Sequence, residues 1–313
     1  MSLINQTGWR DARVLVTGAR GFIGRKLCRR LLDSGALVHG VSRVSSPDVG
    51  TATRWLTVDL THFQSVRQML ESVRPDVVFH LAGHVTGSQD LSNVQPAFHT
   101  NLASTVHLLT AAAEMQPLRI VLVGSMQEPD PDHPAAVPCS PYAASKWACS
   151  GYARMFHALY RLPVSVARPM MVYGPGQWDL VKLLPYVMVS LLGGTSPAVG
   201  SGTRELDWVY VDDVVDGMLA VATADGIQGE AVDLGSGTLT SIRQVIEHVA
   251  TLIGSDVRVR FGVLPDRPLE RPRAARTELT RRLIGWSAQT PLDVGLKQTV
   301  AWYRETWSSL KPA

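Results

Sequence analysis

The sequence predicts an α/β protein, a doubly wound parallel sheet followed by a smaller α/β part. Three observations predict it. A glycine-rich turn stands between a buried apolar run and a helix-period segment near the start of the chain. Strand-like and helix-like segments then alternate as far as Ala167. Beyond that point the strict alternation is lost. The chain has 313 residues, 45% of them hydrophobic, enough for a large core in one big or two small domains. Only 18% are charged, too few for a disordered chain.

Val14, Leu15 and Val16 read as a buried parallel strand. Gly18, Gly21 and Gly24 follow at three-residue spacing, and Leu27, Leu31 and Leu32 recur at helical spacing. In such an arrangement Gly18 makes the tight turn, Gly21 lets the backbone approach a pyrophosphate, and Gly24 lets the helix pack closely on the strand. The helix N-terminus offers free N–H groups and a positive dipole end to phosphate. A strand before, a helix after and the first position in the chain separate this pattern from an ordinary βα turn. They point to dinucleotide binding on a Rossmann-type sheet. Cys28 falls on the inward face of this helix, and Gly35 reads as its C-terminal cap.

Ala36 to Val41 is the second strand. An acidic residue just after it would bond the ribose 2′-hydroxyl of NAD. This chain has Ser42 and Arg43 there, a hydroxyl and a guanidinium suited to a 2′-phosphate, and Arg20 in the glycine loop can reach the same group. The alternative for Arg20 and Arg43 is a pair of solvated surface charges. With the carboxylate missing, NADP is the expected cofactor and NAD the alternative.

Arg54 to Val58 reads as a third strand, and Asp59-Leu60 after it would sit beside the adenine. Val66, Met69, Leu70 and Val73 mark the inner face of a helix that Pro75 stops. Asp76 to Gly83 is the next strand with its glycine-bearing exit. His80 reads as a packed strand-end residue; His84, in the following loop, either lines a pocket or is solvated. Asn101 to Met115 is helical by pattern, and Arg119 to Gly124 is a further strand ending in Ser125-Met126-Gln127-Glu128. In an open parallel sheet, such a polar exit lies at the ligand-binding edge. Asp130 to Pro138 is a Pro-rich loop. Ser140 is then a good N-cap and Pro141 a good first helical residue, so Tyr142 and Lys146 share one face of the first turns. Val164 to Ala167 is the sixth strand. Later elements are a helix over Leu180 to Leu192, a strand-like piece over Asp207 to Val211, a helix over Val211 to Ala222 and a strand over Ala231 to Leu234. A helix capped by Thr240 runs through Ile253, Val257 to Phe261 is strand-like, and Thr277 to Leu283 and Leu292 to Trp307 are helical.

Several classes are excluded. The net charge of +3 suits an anionic small molecule, and no basic run with interleaved aromatics points to nucleic acid. Cys28, Cys139 and Cys149 fit neither a metal spacing nor a disulfide framework, so no metal is expected and the compartment reads as reducing. The first seven residues lack signal-peptide features and no apolar run is long enough to span a bilayer, so a soluble, cytoplasmic protein is expected.

The motifs now in hand are Thr17-Gly18-Ala19-Arg20-Gly21-Phe22-Ile23-Gly24, His80-Leu81-Ala82, Asn101, Ser125 and Pro141-Tyr142-Ala143-Ala144-Ser145-Lys146. Tyr173-Gly174-Pro175-Gly176, Gly200-x-Gly202 leading to Asp207, and Leu283-Ile284-Gly285-Trp286 complete them. Over nearly its whole length the chain resembles the extended short-chain dehydrogenases/reductases, the group of nucleotide-sugar epimerases, dehydratases and ketoreductases. The resemblance implies that Ser125, Tyr142 and Lys146 form the catalytic triad. It places Gly18, Arg20, Gly21, Phe22 and Ile23 on the cofactor's phosphates, and Ser42, Arg43, Asp59 and Leu60 around its adenosine. Leu81, Ala82, Gly83 and Asn101, with Tyr142 and Lys146, complete the cofactor set. A free phenol titrates near pH ~10, and a neighbouring ammonium brings it into working range. In reduction the cofactor gives hydride to a carbonyl carbon while Tyr142 gives its proton to the oxygen.

Departures from the family pattern narrow the reading. Dehydratases of the group carry an Asp-Glu pair after the serine or threonine; this chain has Met126 and Gln127, neither able to act as acid or base at neutral pH. Glu128, one step further on, would point elsewhere. Met171 stands where the family often has Asn, and Leu206 where it often has Arg, so Arg204, Arg267 or Arg271 would replace the lost contacts to a diphosphate, with Arg267 the preferred candidate. His84, Met126, Gln127, Met171, Arg204 and Arg267 are the candidate substrate contacts, in a pocket made more apolar by its methionines. The expected domains are 1–168 plus 207–237 for the cofactor and 169–206 plus 238–313 for the substrate. The expected activity is an NADPH-dependent ketoreductase acting on a nucleotide-linked sugar, with an NAD(P)-dependent nucleotide-sugar epimerase as the alternative. A homodimer is implied by the resemblance, through the segments near Asn101 to Met115 and Tyr142 to Leu159.

Overall fold

The computed structural model describes residues 8–44, 54–115, 118–130 and 137–310, with the backbone alone for 308–310. The reading of residues 1–7 and most of the Pro-rich loop, 131–136, lie outside the described residues. The chain forms two compact units. The first takes Met1–Pro169, Val215–Asp233 and Glu278–Trp286; the second takes Met170–Val214, Leu234–Thr277 and Ser287–Ala313.

The first unit is built on a seven-stranded sheet among the described residues. Its strands are β1 (Arg13–Thr17), β2 (Leu37–Ser42), β3 (Arg54–Thr57), β4 (Val77–His80), β5 (Arg119–Val123), β6 (Val164–Pro169) and β9 (Ala231–Leu234). Their order is β3-β2-β1-β4-β5-β6-β9. Pairing is parallel from β3 through β6. The connecting helices are α1 (Phe22–Asp33), α2 (Phe63–Val73), α3 (Ser104–Ala113) and α4 (Pro141–Tyr160). The order reverses between β1 and β4, where open parallel sheets hold their ligands at the carboxyl ends of the strands.

Apolar periodicity explains the packing. Leu15, Val78, Ile120 and Leu122 of the sheet form one core with Val66 and Leu70 of α2, Leu108 and Leu109 of α3, and Phe156 of α4. Each such burial stabilises the fold by about 1.5–3 kcal/mol. Cys28 and Leu31 of α1 are fully buried, whereas Leu32 is half-buried. Gly35, with φ of 84°, follows the end of α1.

In the second unit β8 (Glu205–Tyr210) pairs in parallel with β7 (Met171–Tyr173) and antiparallel with β10 (Leu239–Ser241). With them go α5 (Leu183–Leu192), α7 (Ile242–Ile253) and α9 (Leu292–Leu310). Two further helices, α6 (Val211–Thr223) and α8 (Thr277–Ile284), run across the boundaries in sequence. The short strands β7 and β10 were not read from the sequence. The cap of α7 is Ser241, closed in a reciprocal box with Gln244, while Thr240 lies within β10. Val257 to Phe261 makes no strand: Arg260 forms an isolated bridge to Ala198, its N–H donating to the Pro197 oxygen at 2.9 Å and its oxygen accepting the Val199 N–H at 3.0 Å, and this pairing does not extend into a ladder. The α5 helix begins at Leu183 rather than Leu180, since Asp179 turns the chain by accepting the Val181 N–H and Pro185 belongs in a first turn.

One buried carboxylate knots this unit. Asp207 has no exposed surface. Its Oδ1 accepts the Ser236 N–H at 2.8 Å and hydroxyl at 2.7 Å, and its Oδ2 accepts the Gly237 and Ala275 N–H groups, each at 2.9 Å. Among the described residues, no helix is long and apolar enough to cross a membrane, and no group of three or more His, Cys, Asp or Glu could hold a metal.

Asp207→Ala removes the acceptor of the buried Ala275 N–H and of the Ser236 and Gly237 N–H groups, and is expected to lower unfolding stability by about 3 kcal/mol. Urea unfolding followed by fluorescence checks it; an unchanged midpoint would show that the segments at 235–237 and 275 hold themselves.

Candidate active site

The glycine turn is shaped by close approach. Gly18 has φ of 66°, and a Cβ there would stand 2.8 Å from the Leu81 carbonyl carbon and the Ala82 nitrogen. A Cβ at Gly24 would collide with the Gly18 oxygen. The Gly21 N–H closes the turn on the Gly18 oxygen at 2.9 Å. Gly21 then serves as N-cap of α1, with no side-chain cap and no acidic residue in the first turn, which holds Phe22 and Ile23. An uncapped N-terminus with its positive dipole end fits a cofactor's pyrophosphate. Beside it lies a cavity of about 550 Å³ lined by Arg20, Arg25, Ser42, Arg43 and Val44. The Arg25 Nε donates to the Arg20 carbonyl at 2.9 Å, stiffening this rim. Sequence reasoning found Arg20, Ser42 and Arg43 but missed Arg25, one turn into α1. Asp59 accepts the Thr61 N–H at 2.9 Å and hydroxyl at 2.7 Å. The backbone bond first, and the hydroxyl second, hold its carboxyl below the usual range. Leu60 beside it is buried.

At the switch between β1 and β4, Thr17 lies opposite His80. The Thr17 hydroxyl accepts the Ala82 N–H at 3.1 Å and lies 2.9 Å from the His80 Nδ1. The His80 Nε2 is buried without a hydrogen-bond partner among the described residues. Burial above all, with Lys146 adding repulsion, pushes the His80 pKa down to about 3. Gly83 follows, where a Cβ would stand 2.9 Å from the Asn101 Oδ1 and 3.7 Å from the Lys146 Nζ.

Asn101 sits in a π-helical turn, Phe98–Ala103. Its Oδ1 accepts the His84 N–H at 2.6 Å, and its Nδ2 donates to the His84 oxygen at 3.2 Å and to the Ser145 hydroxyl at 2.9 Å. Asn101 thus clamps the exit of β4 to α4. The His84 ring is half-buried and meets Asn93 Oδ1 at 3.0 Å.

The α4 helix starts as the sequence predicts: Ser140 accepts the Ala143 N–H at 3.1 Å and Pro141 opens the helix. Tyr142 and Lys146 are both buried, 9% and 5% exposed. The Lys146 Nζ lies 6.0 Å from the Tyr142 ring centroid and donates to the Val123 oxygen at 2.7 Å. The Tyr142 hydroxyl has no hydrogen-bond partner among the described residues. Ser125 comes two residues after Val123 and accepts the Gln127 N–H on its Oγ at 3.2 Å. Glu128 is turned inward and nearly sealed, 4% exposed. Met126 and Gln127 are half-buried.

Of the second unit's candidates, Met171 is half-buried in β7. Arg204 is ion-paired with the buried carboxylate of Glu270, and Arg267, half exposed, stands 3.7 Å from the same group. Leu206 and Trp208 are packed inside the unit, with the Trp208 indole N–H donating to the Thr240 oxygen at 3.0 Å.

The family model described as the NAD dependent epimerase/dehydratase family matches residues 14–235. A UDP-glucose 4-epimerase of Mycolicibacterium smegmatis is 31% identical, over 93% of this chain and 98% of its own. A UDP-glucuronate 4-epimerase of Thermodesulfobacterium geofontis is 27% identical, over 95% and 98%. The enzyme WbmF of Bordetella bronchiseptica, solved with NADH, is 26% identical with a TM-score of 0.81, over 98% of this chain and 95% of that one.

The buried histidine makes the stability depend on pH. In the native state His80 stays neutral down to about pH 3, whereas in the unfolded chain it takes a proton near 6.5. Stability from this group is full above pH 6.5 and falls as pH drops towards 3, by about 1.4 kcal/mol per unit. Ring-carbon NMR should show no His80 titration between pH 5 and 8, and a midpoint near 6.5 would contradict it.

Proposed function

The chain belongs to the NAD dependent epimerase/dehydratase family, and we propose that it is a nucleotide-sugar 4-epimerase acting on a uridine-diphosphate hexose. The observation that carries this reading is a serine, tyrosine and lysine site with no acid–base pair beside the serine. Met126 and Gln127 cannot move a proton, and Glu128 is committed to buried partners. Such a site supports reversible oxidation at one carbon and not elimination of water. The named relatives, a UDP-glucose and a UDP-glucuronate 4-epimerase, favour inversion over the net reduction expected from the sequence.

In this reading the Tyr142 oxygen, in its phenolate form, takes the proton of the substrate hydroxyl and returns it. The Lys146 ammonium, fixed on the Val123 oxygen, sets positive charge beside the ring and stabilises the negative charge of that phenolate. Ser125 accepts from Gln127, which leaves its own O–H free to donate to the substrate oxygen. A nicotinamide cofactor, when bound, would supply the hydride chemistry at the sugar carbon. Gly18, Gly21 and the start of α1 would hold its phosphates, and Asn101 keeps Gly83 and His84 in place beside Lys146. The arginine-lined cavity supports NADP as the tighter cofactor. Arg267 is the guanidinium for the substrate diphosphate, while Arg204 serves Glu270. Net reduction by NADPH is the second reading, favoured by that same cavity, since an enzyme that never releases its cofactor has no use for an exchangeable phosphorylated one.

A homodimer belongs to this reading. Trp147, Tyr152 and Leu159 on α4, and Leu91, Val94 and Phe98 before α3, are exposed apolar side chains.

Incubation with UDP-glucose and UDP-glucuronate, followed by proton NMR, should show the C4 epimer with no net change in reduced cofactor. Tyr142→Phe should lower kcat by about 10²–10⁴-fold. Stoichiometric NADPH oxidation by keto-sugar nucleotides without epimer formation would transfer the conclusion to the second reading. Arg43→Ala should weaken NADP binding by about tenfold, a change of about 1.4 kcal/mol, and leave NAD binding nearly unchanged. Equal weakening of both by calorimetry would contradict the 2′-phosphate assignment. Sedimentation at micromolar concentration should show a dimer, and monomer alone would remove it.

A further inference from the structure

The geometry points to Glu128 as a positioning residue that ties Ser125 to the helix carrying Tyr142 and Lys146, so that both halves of the site keep one spacing. The Glu128 Oε1 accepts the Ser125 N–H at 2.7 Å, and its Oε2 accepts the Ser150 hydroxyl at 2.7 Å. Ser150 lies on α4, one turn beyond Lys146 and two beyond Tyr142. One carboxylate therefore spans the strand exit of β5 and the helix.

The loop between them folds back on Ser125. The Glu128 N–H donates to the Ser125 oxygen at 3.1 Å, and the Gln127 N–H to its Oγ at 3.2 Å. Ser125 through Glu128 thus repeats the reciprocal logic of a capping box at a strand end. The fit admits only glycine next door, since a Cβ on Gly124 would collide with the Glu128 Oε1. A buried carboxylate is costly without a countercharge. Here Arg168 stands 4.0 Å from Oε2 and is itself held by Asp233, Nε to Oδ1 at 2.6 Å. Burial pushes the Glu128 pKa up, and Arg168 first, then Ser150 and the Ser125 N–H, pull against it. An apolar side chain would fill the same space and leave the Ser125 N–H without this acceptor. The arrangement makes sense where the position of Ser125 matters to the chemistry.

The inference rests on the proposed joint action of Ser125 with Tyr142 and Lys146, and a double-mutant cycle tests it. With the UDP-sugar assay, Glu128→Ala should lower kcat by about 10–100-fold with KM within about threefold. In a Ser125→Ala background, Glu128→Ala should lower kcat by less than about threefold more, because the tie then has nothing to position. Glu128→Gln keeps an acceptor for the N–H and should recover most of the loss; Ser150→Ala should fall between. Additive losses, or a lower melting temperature with unchanged kcat, would overturn the role. Should Glu128→Ala fail to fold, Ser150→Ala carries the same cycle. Hydrogen exchange of the 119–130 segment, read without substrate, separates this inference from the epimerase reading. A wild-type enzyme inactive on the sugars sinks that reading, whereas Ser125 amide exchange unchanged in Glu128→Ala and Ser150→Ala sinks the tie.

Discussion

A single charged hydrogen bond, from the Lys146 ammonium to the Val123 oxygen, anchors the part of the first unit that holds the proposed site. It joins the first turns of α4 to the end of β5. Because parallel strands finish on one edge, the proposed catalytic residues collect within a few residues of that joint. Ser125 follows Val123 by two residues, Tyr142 lies one turn before Lys146, and Gly83 at the exit of β4 comes near the same ammonium. The cation also depresses protonation of His80, sealed behind it at the sheet switch. Charge, strand end and helix start are thus three aspects of one constraint.

Around this joint the buried polar residues have divided tasks. Asn101 fastens α4 to the exit of β4 and Glu128 fastens it to the exit of β5. Neither can be exchanged for an apolar residue of similar size without orphaning a backbone group. In the second unit, Asp207 and the Glu270–Arg204 pair do comparable work on loops, which is why Arg204 is poorly placed as a free diphosphate contact.

Much of this was legible in the sequence where local chemistry dictates geometry. The β1 strand, the glycine turn and α1 follow from sterics and period, and Ser140-Pro141 announces α4 because capping and a fixed φ act within one turn. The inner faces of α2, at Val66, Met69, Leu70 and Val73, were readable for the same reason. Features that depend on partners distant in sequence were not. The π-helical turn at Phe98–Ala103 leaves no mark in an apolar pattern, and three-residue strands such as β7 and β10 exist only through their pairing. Ser125-x-x-Glu128 does carry a capping-box spacing, but only the fold shows Ser150 and Arg168 behind it. The pairing of Arg204 with Glu270 across many residues had no local signal at all.

The central claim is that Ser125, Tyr142 and Lys146 move the proton and steady the oxygen while one sugar carbon would give its hydride to a held nicotinamide and take it back, without release of the intermediate. UDP-glucose deuterated at C4, converted by the enzyme and read by mass spectrometry, tests it most directly. The account requires the inverted product to keep its deuterium at C4. Label leaving with released cofactor or lost to solvent, or label undisturbed in a sugar that binds and never inverts, would contradict it.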